Sequence, residues 1–228
     1  MASTSSSGEI SVVYPQFCSP YPIDIIIKHN LITTLSRHKY AVNRVNGEFL
    51  FHVTENIGSI HLGRIFLDPS INTFLALYPS VTGNFFGFRR RLFLPYPAGN
   101  TILTLQQSGM NMHSRWEVFR GDNTEYKNLL FSVKRSSMFL INTEYDIFMA
   151  TNPKENDFCD FKICKNKIYV GNTKNIVIAQ MHNHIGFMSN KYLVNVYTGV
   201  DYVFIIALVV IYEEIQSCAR RNYNSLVV

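Results

Sequence analysis

Charge is scarce in this chain. Asp, Glu, Lys and Arg make up only 16% of its 228 residues, against 47% hydrophobic. That balance excludes a chain that is disordered throughout, because such chains lack the apolar residues to build a core. Cysteine is scarcer still: Cys18, Cys159, Cys164 and Cys218 fit no common zinc spacing. Met1 to Gly8 is Ser-rich, without the apolar stretch of a secretory leader, and no Asn-x-Ser/Thr sequon occurs. Free thiols in a reducing, intracellular setting are therefore expected: the cytoplasm, the inner face of a membrane, or the nucleus. The start lacks the Gly that myristoylation needs, and the C-terminus is no prenylation box. Enzyme signatures are missing too, with no Gly-x-Ser-x-Gly elbow, phosphate-binding Gly-rich loop or His-Glu-x-x-His. So are zinc-finger, basic-heptad and RNP-type nucleic-acid motifs. No catalysis and no cofactor is expected.

What is present is concentrated near the C-terminus. Val203 to Tyr212 is apolar on every face. A helix of that kind must be enclosed. At ~15 Å it reaches only about half way across a hydrocarbon core, so a membrane span is not expected. Asp201 stands where a helix N-terminus would place it, and Glu213-Glu214 read as its end.

Aromatics are plentiful, with 17 Phe and 13 Tyr, which favours β structure. Ile23 to Ile27 is a short apolar stretch. The pair Tyr40 to Val45 and Glu48 to Val53 flanks Asn46-Gly47, which suits a type I′ hairpin turn. Further strands are expected at Arg64–Leu67, Thr101–Leu105, Arg115–Phe119, Leu129–Lys134 and Met138–Asn142. Others fall at Tyr145–Ala150, Phe158–Ile163, Lys167–Val170, Ile176–Met181 and Lys191–Tyr197. About twelve short strands with close turns suggest a sandwich or barrel. A barrel of that many strands is too wide for its own side chains to fill, and one apolar helix would fill it.

Several stretches also resemble the plant LURP-one-related family. They are Cys18 to Asp24, Val45 to Phe51, Met112 to Gly121, Leu130 to Ser137, Cys159 to Phe161, and Val200 to Tyr202 through Glu214. The resemblance covers roughly Tyr14 to Gln216 in the family's order. It implies a mainly β fold, a closed antiparallel barrel of twelve strands enclosing a C-terminal hydrophobic helix, as in tubby C-terminal-like proteins and, by similarity, phospholipid scramblases. It also implies a link to plant defence, and it carries no enzymatic activity. On this reading residues 1–13 are a flexible tail, 14–216 the barrel domain and 217–228 a C-terminal tail. One region departs from the family. Joining Asp68 to Pro97 restores its pattern, so the 28 residues Pro69 to Tyr96, which hold Arg89-Arg90-Arg91, read as an inserted loop, with translated intron as one source.

The net charge of +5 permits contact with anionic lipid without requiring it. Lys134-Arg135-Ser136-Ser137, between two strands, reads either as an anion site or as an exposed basic turn. Arg115 and Arg120, which flank Trp116, read as further headgroup contacts or as solvated strand positions, with Trp116 in the core or packed on the barrel surface. His182 and His184 would share one face if the strand runs that far, but a zinc site needs more ligands, which only His113 or His52 could supply, and the two read as loop histidines. Gly121 to Glu125 lacks the ligand series of a calcium loop and reads as a turn. Cys159 and Cys164 are an odd number of residues apart, which points them to opposite faces.

The expected function is a non-enzymatic, tubby-like binding or signalling module, monomeric, with phosphoinositide or other anionic phospholipid and an unidentified protein as partners. A scramblase-like membrane protein and a membrane-tethered transcriptional regulator are the alternatives. Val203, Ile206, Ala207 and Val210 are expected at the centre of the core.

Overall fold

The computed structural model describes residues 8–30, 38–56, 89–93, 101–108, 115–136, 144–152, 158–185 and 189–226. Twelve strands precede one helix: β1 (Ile23–Asn30), β2 (His38–Arg44), β3 (Phe49–Asn56), β4 (Arg89–Phe93), β5 (Thr101–Ser108) and β6 (Arg115–Arg120), then β7 (Leu129–Arg135), β8 (Glu144–Met149), β9 (Phe161–Cys164), β10 (Lys167–Val170), β11 (Ile176–Ile185), β12 (Ser189–Val196) and α1 (Tyr202–Leu226). All ladders are antiparallel between chain neighbours, and β1 is bonded to both β2 and β12. The sheet wraps around α1, so the mainly β architecture with a C-terminal helix is as the sequence suggests.

Alternation explains the wrapping. Ile25 and Ile27 on β1, Tyr40 and Val42 on β2, and Tyr192 and Val194 on β12 point inward and are almost fully buried. They meet α1, whose residues Val203 to Ile211 are each at most 1% exposed, including Val203, Ile206, Ala207 and Val210. Ring contacts lock the interface, with Phe204 edge-on to Phe131 at 5.1 Å and tilted against Phe161 at 4.9 Å. Each such side chain contributes on the order of 1.5–3 kcal/mol by leaving water.

Four expectations are corrected. First, the expected flexible tail 1–13 is not free over its described part: Ile10 pairs with Val200, and Val12 and Val13 are buried. Phe17 packs on Tyr202 and Phe51, so this segment covers the end of the sheet where the helix starts. Second, Glu213-Glu214 do not end the helix, which continues to Leu226 through much of the expected tail. Third, Arg89–Phe93, inside the expected insertion, is a strand paired with β3 and β5. Three consecutive arginines hide the period-2 signal, but backbone ladders do not depend on side-chain alternation. The rest of Pro69 to Tyr96 lies outside the described residues, as do the expected strands Arg64–Leu67 and Met138–Asn142.

Fourth, the Asn46-Gly47 hairpin has a different turn. Among its residues only Gly47 has positive φ, at 92°, whereas a type I′ turn needs two. The Gly47 N–H donates to Arg44 at 2.9 Å and the Arg44 N–H to Glu48 at 2.8 Å. That is the three-residue loop with a left-handed glycine closing a bulge.

Candidate functional site

Strands β6 to β9 carry charged side chains on their outer faces. One step beyond the Trp116–Val133 pair, Arg115 and Lys134 stand on adjacent strands. Lys134 in turn faces Asp146, and Asp146 faces Lys162. Arg115 Nε lies 3.2 Å from Glu117. Lys162 Nζ lies 2.5 Å from Asp146 and 3.7 Å from Glu144, and Lys174 Nζ lies 2.5 Å from Glu144. Opposite charges directly across strands stabilise the sheet. The hydrogen bond from Lys174 holds the Glu144 carboxyl below its ordinary range, against the opposing effect of burial. Burial opposes the charge on Lys162, but Asp146 keeps its ammonium above the usual range.

The structure therefore brings Arg115 and Lys134 together on the outer face, turns Arg135 to the inner face at the same end of β7, opposite buried Tyr145, and leaves Arg120 elsewhere. Lys134 and Arg135 are the last residues of β7 and not a turn, because they pair with Asp146 and Tyr145. Lys134 Nζ sits over the Phe148 ring at 5.3 Å. Arg135 Nε is buried without a hydrogen-bond partner. Arg120, at the other end of β6, donates from Nη2 to the Val13 carbonyl at 2.9 Å and lies 4.6 Å over the Tyr14 ring. Its contacts fasten the N-terminal segment. Trp116 is 2% exposed and belongs to the core, as expected.

His182 and His184 lie on β11, which runs on to Ile185, so neither is a loop residue. Met181 between the sheet and helix is buried, which turns both histidines to the outer face. Gly121 to Glu125 forms a turn in which Asn123 Oδ1 accepts the Glu125 N–H at 3.2 Å. No group of three or more His, Cys, Asp or Glu poised for a metal occurs among the described residues. Cys18, Cys159 and Cys164 are free thiols. Burial first, then the nearby Asp146 charge, pushes Cys159 up to about 11. Its thiol donates to Asn172 at 2.7 Å, and that of Cys164 to Glu144 at 3.2 Å.

Two carboxylates that the sequence reading treated as helix punctuation fasten α1 inside the sheet. Asp201 is fully buried and caps α1: its Oδ1 accepts the N–H groups of Val203 and Phe204 at 3.0 and 3.1 Å. Its Oδ2 accepts those of Val12, Val13 and Tyr14 at 3.2, 2.7 and 3.3 Å. At the other end Glu213 Oε1 accepts from His29 Nδ1 at 3.1 Å and from Asn190, Ser217 and Arg220 at 2.8 Å each. Tyr192 donates to Oε2. Burial opposes the charge, yet His29, Tyr192, Asn190 and Ser217 together hold Glu213 well below the ordinary carboxylate range. Burial and the adjacent Glu213 push the Tyr192 hydroxyl up, so the shared proton stays on the phenol. Tyr40 donates to Glu214 at 2.7 Å and stacks on His29 at 4.6 Å.

Fold and side-chain placement define a β-sheet protein whose interior is taken up by its own helix. The chain belongs to the LURP-one-related family: the family model matches residues 76–213, more than half of it. It is 32% identical to Protein LURP-one-related 15 of Arabidopsis thaliana, over 94% of this chain and 89% of that one. It is 34% identical to Protein LURP-one-related 10 of the same plant, over 90% and 96%. Protein LURP1 of that plant is 30% identical over 90% and 89%. The fold also matches the X-ray structure of an Arabidopsis thaliana protein, with a TM-score of 0.59 and 28% identity, covering 90% of this chain and 98% of that one.

Proposed function

We propose that this protein is a non-enzymatic binding module that works from its outer surface, in plant defence, through contact with anionic phospholipid and a protein partner. One observation carries the reading. The sheet is occupied by Val203 to Ile211, so the space in which a comparable barrel would hold a ligand is filled by the chain itself. On this reading the wrapped sheet is a closed, tubby C-terminal-like barrel, and the protein acts inside the cell as a monomer.

A positive net charge of +5 favours attachment to an anionic leaflet, where each basic residue near the surface contributes about 1 kcal/mol. Arg115 and Lys134 on the outer face, and Arg135 with its unpartnered Nε on the inner face of the same strand end, frame a rim at which a headgroup would sit. Arg120 contributes to the fold and not to this rim. No helix among the described residues is long and apolar enough to cross a membrane. The buried face of α1 contacts the sheet, which favours surface attachment over insertion of that helix.

Co-sedimentation of the full chain with phosphatidylcholine vesicles, with and without phosphatidylinositol 4-phosphate, at two salt concentrations, tests the reading. Salt-sensitive binding that needs the phosphoinositide and weakens in Arg135→Gln supports it. A folded chain that stays in the supernatant under every condition overturns the lipid part and directs the search to protein partners.

A further inference from the structure

A second basic surface has no counterpart to the charge pairing on β6 to β9. Lys28 on β1 stands directly opposite Lys191 on β12, and Lys191 stands directly opposite His184 on β11. All three side chains are exposed. Their outward direction follows from the burial of Ile27 and His29 beside Lys28, of Asn190 and Tyr192 beside Lys191, and of Met181 three residues before His184. Adjacent strands are ~4.8 Å apart, so the three side chains cover about 10 Å of surface. Like charges directly opposite each other destabilise a sheet.

Among the described residues no acidic group compensates this row. His182 lies two residues back on the same face of β11 as His184. Across β2, the position beside Lys28 is Ala41, and the next, on β3, is His52. Strand β10 pairs with β11 only as far as Gln180, short of the histidines. The carboxylate on this part of β1 is Asp24, four residues from Lys28, and it accepts from Asn195 Nδ2 at 2.6 Å. No salt bridge joins Lys28, Lys191 or His184 to a described acidic residue.

We propose that Lys28, Lys191 and His184 form a binding site for a phosphate monoester group. Its several negatively charged oxygens accept from two ammonium groups and one ring N–H at once, and the charge relieves the repulsion within the row. The row lies on a different part of the sheet from the Arg135 rim, and the inference does not rest on that rim. A soluble phosphorylated compound and a phosphorylated lipid headgroup present the same chemistry.

The test is two-dimensional NMR of the full chain titrated with inorganic phosphate, against sodium chloride at matched ionic strength. Saturable shifts centred on residues 28, 184 and 191 are expected, with affinity reduced about tenfold or more in Lys191→Gln and in Lys28→Gln and unchanged in Arg135→Gln. Both Gln variants keep the fold, because they remove like charges from exposed strand positions, and their thermal melts confirm it. Shifts that do not saturate, or that survive in Lys191→Gln, overturn the proposal. Sedimentation with phosphatidylcholine vesicles containing phosphatidylinositol 4-phosphate then separates the two sources. Loss of vesicle binding in Lys191→Gln assigns a lipid headgroup, and phosphate binding without vesicle binding assigns a soluble monoester. Vesicle binding abolished by Arg135→Gln, together with no saturable phosphate shift, overturns this site while leaving the membrane reading intact.

Discussion

His29 and Glu213, 184 residues apart in the chain, meet at 3.1 Å inside the sheet. The contact ties the first strand to the helix, and Asn190, Tyr192, Ser217 and Arg220 complete the set of donors around the same carboxylate. Removing the carboxylate leaves five polar groups without their acceptor. Glu213→Ala is expected to cost roughly 3–5 kcal/mol, as for other buried ion pairs broken on one side. Urea denaturation followed by tryptophan fluorescence from Trp116 measures it. A loss below about 1 kcal/mol would show that the cluster is not important to stability.

The same carboxylate predicts acid sensitivity. Glu213 is held well below the ordinary carboxylate range in the folded chain and returns to about 4.3 when unfolded. The unfolded state therefore binds the proton first, and the stabilisation is complete above that value. It is lost as pH falls through the lower folded value. The urea midpoint should fall steeply below about pH 4 in the wild type, and less steeply in Glu213→Gln. Parallel pH profiles for the two proteins would refute the assignment.

Asp201 joins two events that are usually separate, capping a helix and holding down a distant N-terminal segment. Asp201→Ala removes an acceptor from Val203 and Phe204 and from Val12, Val13 and Tyr14. The lost cap costs about 0.5–2 kcal/mol by itself. Because the N-terminal segment also loses its anchor, limited proteolysis should cut the variant ahead of Phe17 faster than the wild type. Equal cleavage rates would mean that Phe17 packing alone holds the segment.

The sequence showed the parts of this fold that are locally encoded. An apolar run such as Val203 to Tyr212 has one physical solution, enclosure, whatever surrounds it. The strand positions of Lys167–Val170 and Ile176 onward followed from alternation and turn residues. Glu213 and Glu214 were misread as the helix end, because two charges after an apolar run ordinarily mark an exit to water. Their partners His29, Tyr40 and Tyr192 lie on other strands, and no local pattern announces them. The row Lys28–Lys191–His184 was hidden for the same reason, since it exists only once register is known. The Lys134-Arg135 motif was visible as sequence, but the Asp146 across from Lys134 was not.

Ile206 gives the most direct test of the enclosed helix. It is 1% exposed at the middle of the buried run, surrounded by the inward side chains of the sheet. Ile206→Val removes one methylene and should cost about 0.5–1.5 kcal/mol, lowering the melting temperature with the transition still cooperative. Ile206→Asp places an unpaired charge where the interior is driest, with a cost that exceeds the whole stability of an ordinary domain if the charge is retained. Its thermal scan should show no cooperative transition, while circular dichroism of the Val variant matches the wild type. A cooperative melt from Ile206→Asp would mean that α1 can leave the sheet without unfolding it, and the filled interior, on which the surface-binding reading rests, would then be open to a ligand.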